Sequence, residues 1–341
     1  MPDIAELVDR LGGMAQKQQL VKRGARDLEL TSAVRSGSVT RVRNGWYSTL
    51  PASDPRLRAV RVGGRLTGVS AIAALDGWVL DSRRLHVSVP RNSARLRTQW
   101  NRHRRHRVEA PGDVVLHWDV PEASERGTSM IVALADALTA VILDESLETA
   151  VACLDWALHT QAIDRIDLEQ ILLGLPEHLR YIGEWVDEDC ESLPESLSRT
   201  RLRLSGHAVT SQVPVGETEA IDLVIDEVVG LEVDGEKWHV NRFEQDRNKD
   251  LTMTIANYHA IRPAAKHVFY DWPRVERAIE VALRARGRPF HGNSGVGRRS
   301  VRMFRAMAGP RRRRKRSTPE FPTNAREAGT PGGNNGGRSR G

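Results

Sequence analysis

Cysteine is almost missing from this chain: Cys153 and Cys190 are the only two in 341 residues. They show no partner pattern, so neither a disulfide framework nor a cysteine-based zinc site is supported. No apolar run reaches membrane-spanning length, which argues against a membrane partner. The N-terminal segment carries Asp3, Glu6 and Asp9 where a secretory leader has a basic stretch and an apolar core, so a cytoplasmic location is expected. Gly12-Gly13 and Gly63-Gly64 read as turns. No Gly-rich phosphate loop, dinucleotide fingerprint, serine–histidine–aspartate set or internal repeat accompanies them. Nucleotide-driven and serine-hydrolase chemistries are thereby set aside.

What the chain does have is length and unevenly spread charge. Its 341 residues, 40% hydrophobic, suffice for two or three domains with their own cores. The formal net charge of +7 is local, because residues 288–341 hold 14 Lys or Arg against two acids. Arg311–Arg316 is an unbroken basic run, and the Pro, Gly, Asn and Ser after it read as a disordered tail suited to polyphosphate. A second basic island, residues 82–108, holds nine arginines and no acid, with Trp100 and His103–Arg107 inside it. Its Arg84–Pro90 portion alternates like a strand, so a hairpin or loop carrying arginines along a nucleic-acid backbone is expected. Residues 119–200 reverse the balance with 18 acids against four arginines. This section reads as a helical scaffold or dimerisation region, compatible with a homodimer.

The most informative stretch is Leu231–Val240, in which Glu232 and Asp234 alternate with Leu231 and Val233. A charge in a buried strand is costly unless something binds it. Upstream, Ala220–Ile225 sets Asp222 among aliphatics, and the two runs read as adjacent strands with Asp226 and Glu227 near the turn. Side chains alternate faces along a strand, so Glu232 and Asp234 share one. Asp222 joins them if it stands opposite Glu232, which centres an odd-length loop on Glu227. Three carboxylates projecting together from a hydrophobic sheet suit Mg²⁺ or Mn²⁺ better than zinc. A fourth acid, Glu195, stands one turn into an amphipathic helix opened by Ser192 and Pro194. A capping box of Ser192 and Glu195 accounts for the same residues. A charged helix is expected over residues 243–258, with Asp246 and Asp250 on one face. A strand at His259–Arg262 and a helix from Asp271, with Pro273 in its first turn, complete the region.

This order of elements resembles the DUF559 branch of the PD-(D/E)XK nuclease superfamily, the group similar to very-short-patch mismatch-repair endonucleases. The likeness covers residues 190–286. It implies a restriction-endonuclease-like αβββαβ domain at 189–287 that hydrolyses phosphodiesters, with Glu195, Asp222 and Glu232 as the metal-binding acids. It puts Asp234 where other branches hold a signature lysine, and His239 in a tryptophan–histidine pair after a glycine. The lysine orients water and stabilises developing phosphorane charge, work that must pass to another group here. Lys237, His239, Arg247 and Lys249 are all close in sequence, and a second metal ion is a further substitute. Lys237 and His239 join Asp234 and the metal-binding acids as catalytic candidates, His239 because an imidazole titrates near neutral pH. Arg247 is counted as a nucleic-acid contact.

Residues 1–50 form another unit. Short helices are expected at Ile4–Leu11, Gln16–Arg23 and Asp27–Ser36, before Val39–Tyr47 alternates into a turn at Asn44-Gly45. Three helices and a ribbon describe a winged helix-turn-helix, and the segment is similar to the N-terminal domain of AbiE-type (type IV) antitoxins. That resemblance implies DNA binding, with the Asp27 helix in a groove and Arg35, Arg41 and Arg43 on phosphates. Residues 51–188 remain as a middle α/β and helical region. The expectation is an α+β multidomain, DNA-binding, metal-dependent endonuclease. The alternative is an antitoxin-like transcriptional regulator that keeps the nuclease fold without its activity. A mismatch-repair endonuclease is a third reading, with Trp238 its one candidate aromatic wedge.

Overall fold

The computed structural model describes residues 3–106, 113–119, 126–233 and 243–286, with the backbone alone for 119 and 243–247. Asp234, Lys237, Trp238, His239 and the basic tail from residue 288 lie outside the described residues. The fold is mixed, with helices predominating over three small sheets, in line with the α+β class. Among the described residues no helix is long and apolar enough to cross a membrane.

The N-terminal elements are α1 (Ile4–Asp9), β1 (Met14–Gln16), α2 (Lys17–Val21), α3 (Asp27–Ser36), β2 (Thr40–Arg43) and β3 (Trp46–Ser48). Helix α1 stops two residues before Leu11 because Gly12 and Gly13 turn the chain through left-handed backbone, φ 83° and 80°. Gln16 is extended and belongs to β1, where its side chain shares a reciprocal cap with Gln19. Helix α3 has the bounds expected and ends at Gly37, φ 79°. The three strands pair antiparallel in the order β1-β3-β2, with the turn at Asn44-Gly45.

Helix α4 (Pro55–Val62) packs Leu57 and Val60 against Met14 and Val42. Next come β4 (Arg65–Leu66), α5 (Gly68–Ala74), β5 (Leu85–Pro90), β6 (Val114–Asp119), α6 (Leu134–Asp144), α7 (Leu147–His159), α8 (Arg165–Gly174) and a 3-10 helix at Glu177–Trp185. Strand β5 is central, antiparallel to β4 and parallel to β6. Its expected alternation fails as a surface signal: His86 and Ser88 are buried along with Leu85, Val87 and Val89, as in a strand covered on both faces. The arginines lie after it instead, where Leu96–His106 forms a small hairpin bridged at Arg97 and Arg105. Helix α7 is buried on every side, which suits a helix at the centre of the largest core.

The C-terminal elements run α9 (Leu193–Leu204), β7 (Val209–Val215), β8 (Glu219–Ile225), β9 (Val229–Leu231), α10 (Phe243–Ile255), β10 (His259–Ile261), α11 (Ala265–Tyr270) and α12 (Trp272–Ala285). The sheet order is β10-β9-β8-β7, with β10 parallel to β9 and the other pairs antiparallel. The strand expected from Leu231 onward begins earlier, at Val229, and its regular pairing ends at Leu231. Helix α9 is tied to α7 by a fully buried ion pair. The Arg199 guanidinium donates to Asp155 Oδ2 at 2.9 Å and to the Trp185 carbonyl at 2.5 Å, while Ser196 Oγ donates to Asp155 at 2.6 Å. Burial pushes the Asp155 carboxyl up to about 6, opposed by the Arg199 charge.

Candidate active site on the C-terminal sheet

The β8–β9 connection is the three-residue loop Asp226–Val228, centred on Glu227. Asp226 and Glu227 both adopt left-handed backbone, φ 50° and 61°. Such conformations cost energy in residues other than glycine, and the Asp226 carboxylate offsets it by accepting from the Ala208 N–H and pairing with His207. The register that follows, Leu223 opposite Leu231 and Ile225 opposite Val229, sets Asp222 across from Glu232. Two hydrogen bonds lock the pair: Asp222 N–H donates to Glu232 Oε1 at 3.1 Å, and Val233 N–H donates to Asp222 Oδ2 at 2.9 Å.

The row extends across the whole sheet. Ser211 pairs with Leu223 and Val213 with Ile221, so Gln212 lies opposite Asp222. Gln212 has φ 48° within a strand, a strained conformation for a side-chain-bearing residue, and its amide reaches Glu195 Oε2 at 3.4 Å. On the other side, Glu232 N–H donates to the Ile261 carbonyl, and the next residue, Arg262, pairs with Asp250 of α10 at 2.7 Å. Sequence reading missed Gln212 and Arg262, since neither sits in a motif and only the strand register brings them to the acids.

Glu195 arrives from α9. Ser192 caps that helix by accepting the Glu195 N–H, and its hydroxyl donates to Glu195 Oε1 at 2.6 Å. The other carboxylate oxygen accepts from Glu191 N–H at 3.0 Å rather than from the N-cap N–H of a standard capping box. The cap and the site therefore use one side chain for two purposes. Glu195 and Glu232 are each only 6% exposed. All three carboxyls are pushed above the ordinary range by burial. For Glu195 the Asp222 charge adds to this and takes it to about 7; for Glu232, Asp222 adds again. Mutual repulsion of buried acids is what a bound cation relieves.

Among the described residues Lys249 supplies such a cation. Lys249, on α10, donates to Glu232 Oε2 at 2.5 Å and stands 3.9 Å from Asp222 Oδ1. Of the four cationic groups near the acids in sequence, it is the one whose side chain the structure describes, and it faces them. Lys237 and His239 fall outside the described residues, and for Arg247 the backbone on α10 is described without its side chain. Asp250, expected on a charged surface, has a partly exposed side chain that also holds Arg262 beside the row. The donors are hard carboxylate oxygens, the type Mg²⁺ and Mn²⁺ take. Among the described residues no group of three or more His, Cys, Asp or Glu side chains is placed to hold a metal ion.

In the N-terminal unit, Arg35 is exposed on the last turn of α3, and Arg41 is exposed and held by Asn44 at 2.7 Å. Arg43 is half-buried and turned toward the Val60 carbonyl. No protein-family model matches the chain, and no curated protein matches it in sequence.

Proposed function

We propose that the chain is a DNA-binding protein whose C-terminal unit is a metal-dependent endodeoxyribonuclease. The observation that carries this reading is the cluster of Glu195, Asp222 and Glu232 with Lys249 donating into it. Burying three acids together costs several kcal/mol by order of magnitude unless something offsets it, and a fold with no use for them has no reason to assemble them. The α-β-β-β-α-β order over residues 193–261 supports a restriction-endonuclease-like domain. The helices α1–α3 with the β2–β3 ribbon support a winged helix-turn-helix over residues 1–50.

In this reading Asp222 and Glu232 hold Mg²⁺ or Mn²⁺ and Glu195 completes or orients the shell, with Asp234 beside them in sequence. Such an ion polarises the phosphate and lowers the pKa of a bound water. Lys249 takes the place of the missing signature lysine: its ammonium orients the attacking water and stabilises charge on the phosphorane oxygens. Ser192 and Gln212 hold the Glu195 carboxylate in place, and the Arg262–Asp250 pair braces α10 against the sheet. His239 and Lys237 remain proton-transfer candidates. DNA is engaged by α3 and by Arg35, Arg41 and Arg43, with Arg247 a further contact.

One observation favours a second reading. Lys249 already neutralises Glu232 without a metal, as a catalytically silent antitoxin-like regulator would arrange it. Incubation of supercoiled plasmid and single-stranded DNA with Mg²⁺ or Mn²⁺ separates the two. Cleavage that is lost with a chelator and in both Asp222→Asn and Glu232→Gln supports the nuclease. A folded protein that binds DNA and cuts neither substrate supports the regulator.

A further inference from the structure

The basic island and the N-terminal ribbon, separate in sequence, meet on helix α4. The Leu96–His106 hairpin is strapped across that helix. Arg97 N–H donates to the Val62 carbonyl at 3.0 Å, Arg61 donates to the Gln99 carbonyl at 3.0 Å, and Arg58 donates to the Gln99 amide oxygen and lies 4.2 Å over the Trp100 ring. Arg43 of the ribbon also reaches α4, through the Val60 carbonyl. A Cβ at Gly63 would collide with the Arg43 guanidinium, and Gly63 has φ 128°, so the end of α4 is shaped around that arginine.

Arginine here faces arginine. The Arg43 pKa is lowered by burial and then by the Arg97 charge, and Arg61 by burial and then by Arg102. Among the described residues no carboxylate forms an ion pair with Arg43, Arg61, Arg97 or Arg102. Beside Arg43 opens a cleft of about 410 Å³ lined by Trp46, Arg65, Ser88 and Thr128, and none of its lining residues is acidic. Partly buried cations that lack counter-charges and repel one another are expensive in the free protein, and a polyanion removes that expense.

We propose that a nucleic-acid phosphate backbone runs over this face, with Arg97 and Arg102 of the hairpin and Arg43 of the ribbon, which meet at the end of α4, as its contacts. The inference rests on the DNA-binding reading above and extends it from the first fifty residues to a composite surface. Duplex DNA is the expected occupant, since a ribbon and a hairpin on one helix form a rigid track for a regular backbone. The arginines position the duplex and read no bases.

Fluorescence anisotropy of a labelled DNA duplex across a salt series, with the full-length protein, tests this. Each lost phosphate contact lowers the slope of log affinity against log salt by about 0.9. Arg97→Gln/Arg102→Gln is expected to lower it by close to twice that, with at least about tenfold weaker binding at moderate salt. Arg97→Lys/Arg102→Lys keeps the charges and most of the slope, while Arg274→Gln/Arg277→Gln, exposed on α12, leaves it unchanged. Removing like charges is expected to leave the melting temperature of the free glutamine variant no lower than that of the unaltered protein, and this is measured alongside so that weakened binding is separated from unfolding. Strong DNA binding by the unaltered protein, with the slope unmoved by Arg97→Gln/Arg102→Gln, overturns this surface and leaves the DNA-binding reading intact. Absence of DNA binding by the unaltered protein overturns both.

Discussion

Lys249 shows what a single side chain settles in this structure. Its ammonium makes the closest polar contact to the acid row among the described residues, and no pattern around Asn248-Lys249-Asp250 distinguishes it in sequence from Lys237 or Arg247. Lys249→Met is expected to slow phosphodiester cleavage about 10²–10³-fold, the scale of losing one preorganised charge donor, while DNA affinity measured in parallel stays within a few-fold. A second residue-scale case lies away from the site. His86 is buried, its Nδ1 3.2 Å from His117 Nε2, with Glu145 and Asp144 at the two ends of this chain and Arg84 and Asp81 also acting on it. Burial and the His117 charge lower its pKa to about 4. The unfolded chain, titrating near 6.5, takes up the proton first, so this contribution is complete above that pH and is lost as pH falls toward 4. The loss approaches about 3 kcal/mol. Asp155, raised to about 6, acts in the opposite sense over a similar window, so the readout is a difference. The melting temperature of His86→Gln should fall less between pH 7 and pH 4.5 than that of the unaltered protein, and parallel curves would count against it.

At the scale of elements, the clearest dependence is that of the acid row on α9, and of α9 on α7. Glu195 is delivered by a helix whose buried face is pinned through Arg199 to Asp155, with both side chains at 3% exposure or less. Asp155→Ala leaves the buried guanidinium with the more distant Asp187 carboxylate, 3.6 Å away, and should destabilise by about 3 kcal/mol in denaturant titrations. A loss under about 1 kcal/mol would mean that packing alone holds α9. Ser192→Ala removes the cap and one donor to Glu195, for a loss of about 1 kcal/mol. Much at this scale was legible in the sequence. The alternation around Glu232, the odd loop centred on Glu227 and the leucines of α9 place the sheet, its register and the helix beside it. The hidden parts depend on contacts distant in sequence. The two-sided burial of β5 mimics half-exposed alternation because histidine and serine occupy its second face. Helix α11, six residues between Pro263 and Asp271, is too short to carry a periodic signal.

At the scale of the whole molecule, charge is divided by region. Acids collect at the C-terminal sheet and through the helices of residues 134–185, and arginines collect around α4 and its hairpin, where Arg43, Arg61, Arg97 and Arg102 have no carboxylate ion pair among the described residues. A divalent cation that binds the acid row stabilises the folded chain by mass action, about 2.7 kcal/mol at a hundred times its dissociation constant. Titrating Mg²⁺ or Mn²⁺ should therefore raise the melting temperature of the unaltered protein and not that of Asp222→Asn/Glu232→Gln. Equal shifts in both would place metal binding elsewhere. The most direct measurement of the central claim is single-turnover cleavage of a labelled duplex with Mg²⁺ by the unaltered protein and Glu232→Gln, with duplex affinity measured for each. The account predicts cutting by the first, a rate at least about 10²-fold lower for the second, and similar affinities. Equal rates, or no cutting by a folded protein that binds the duplex, would contradict it.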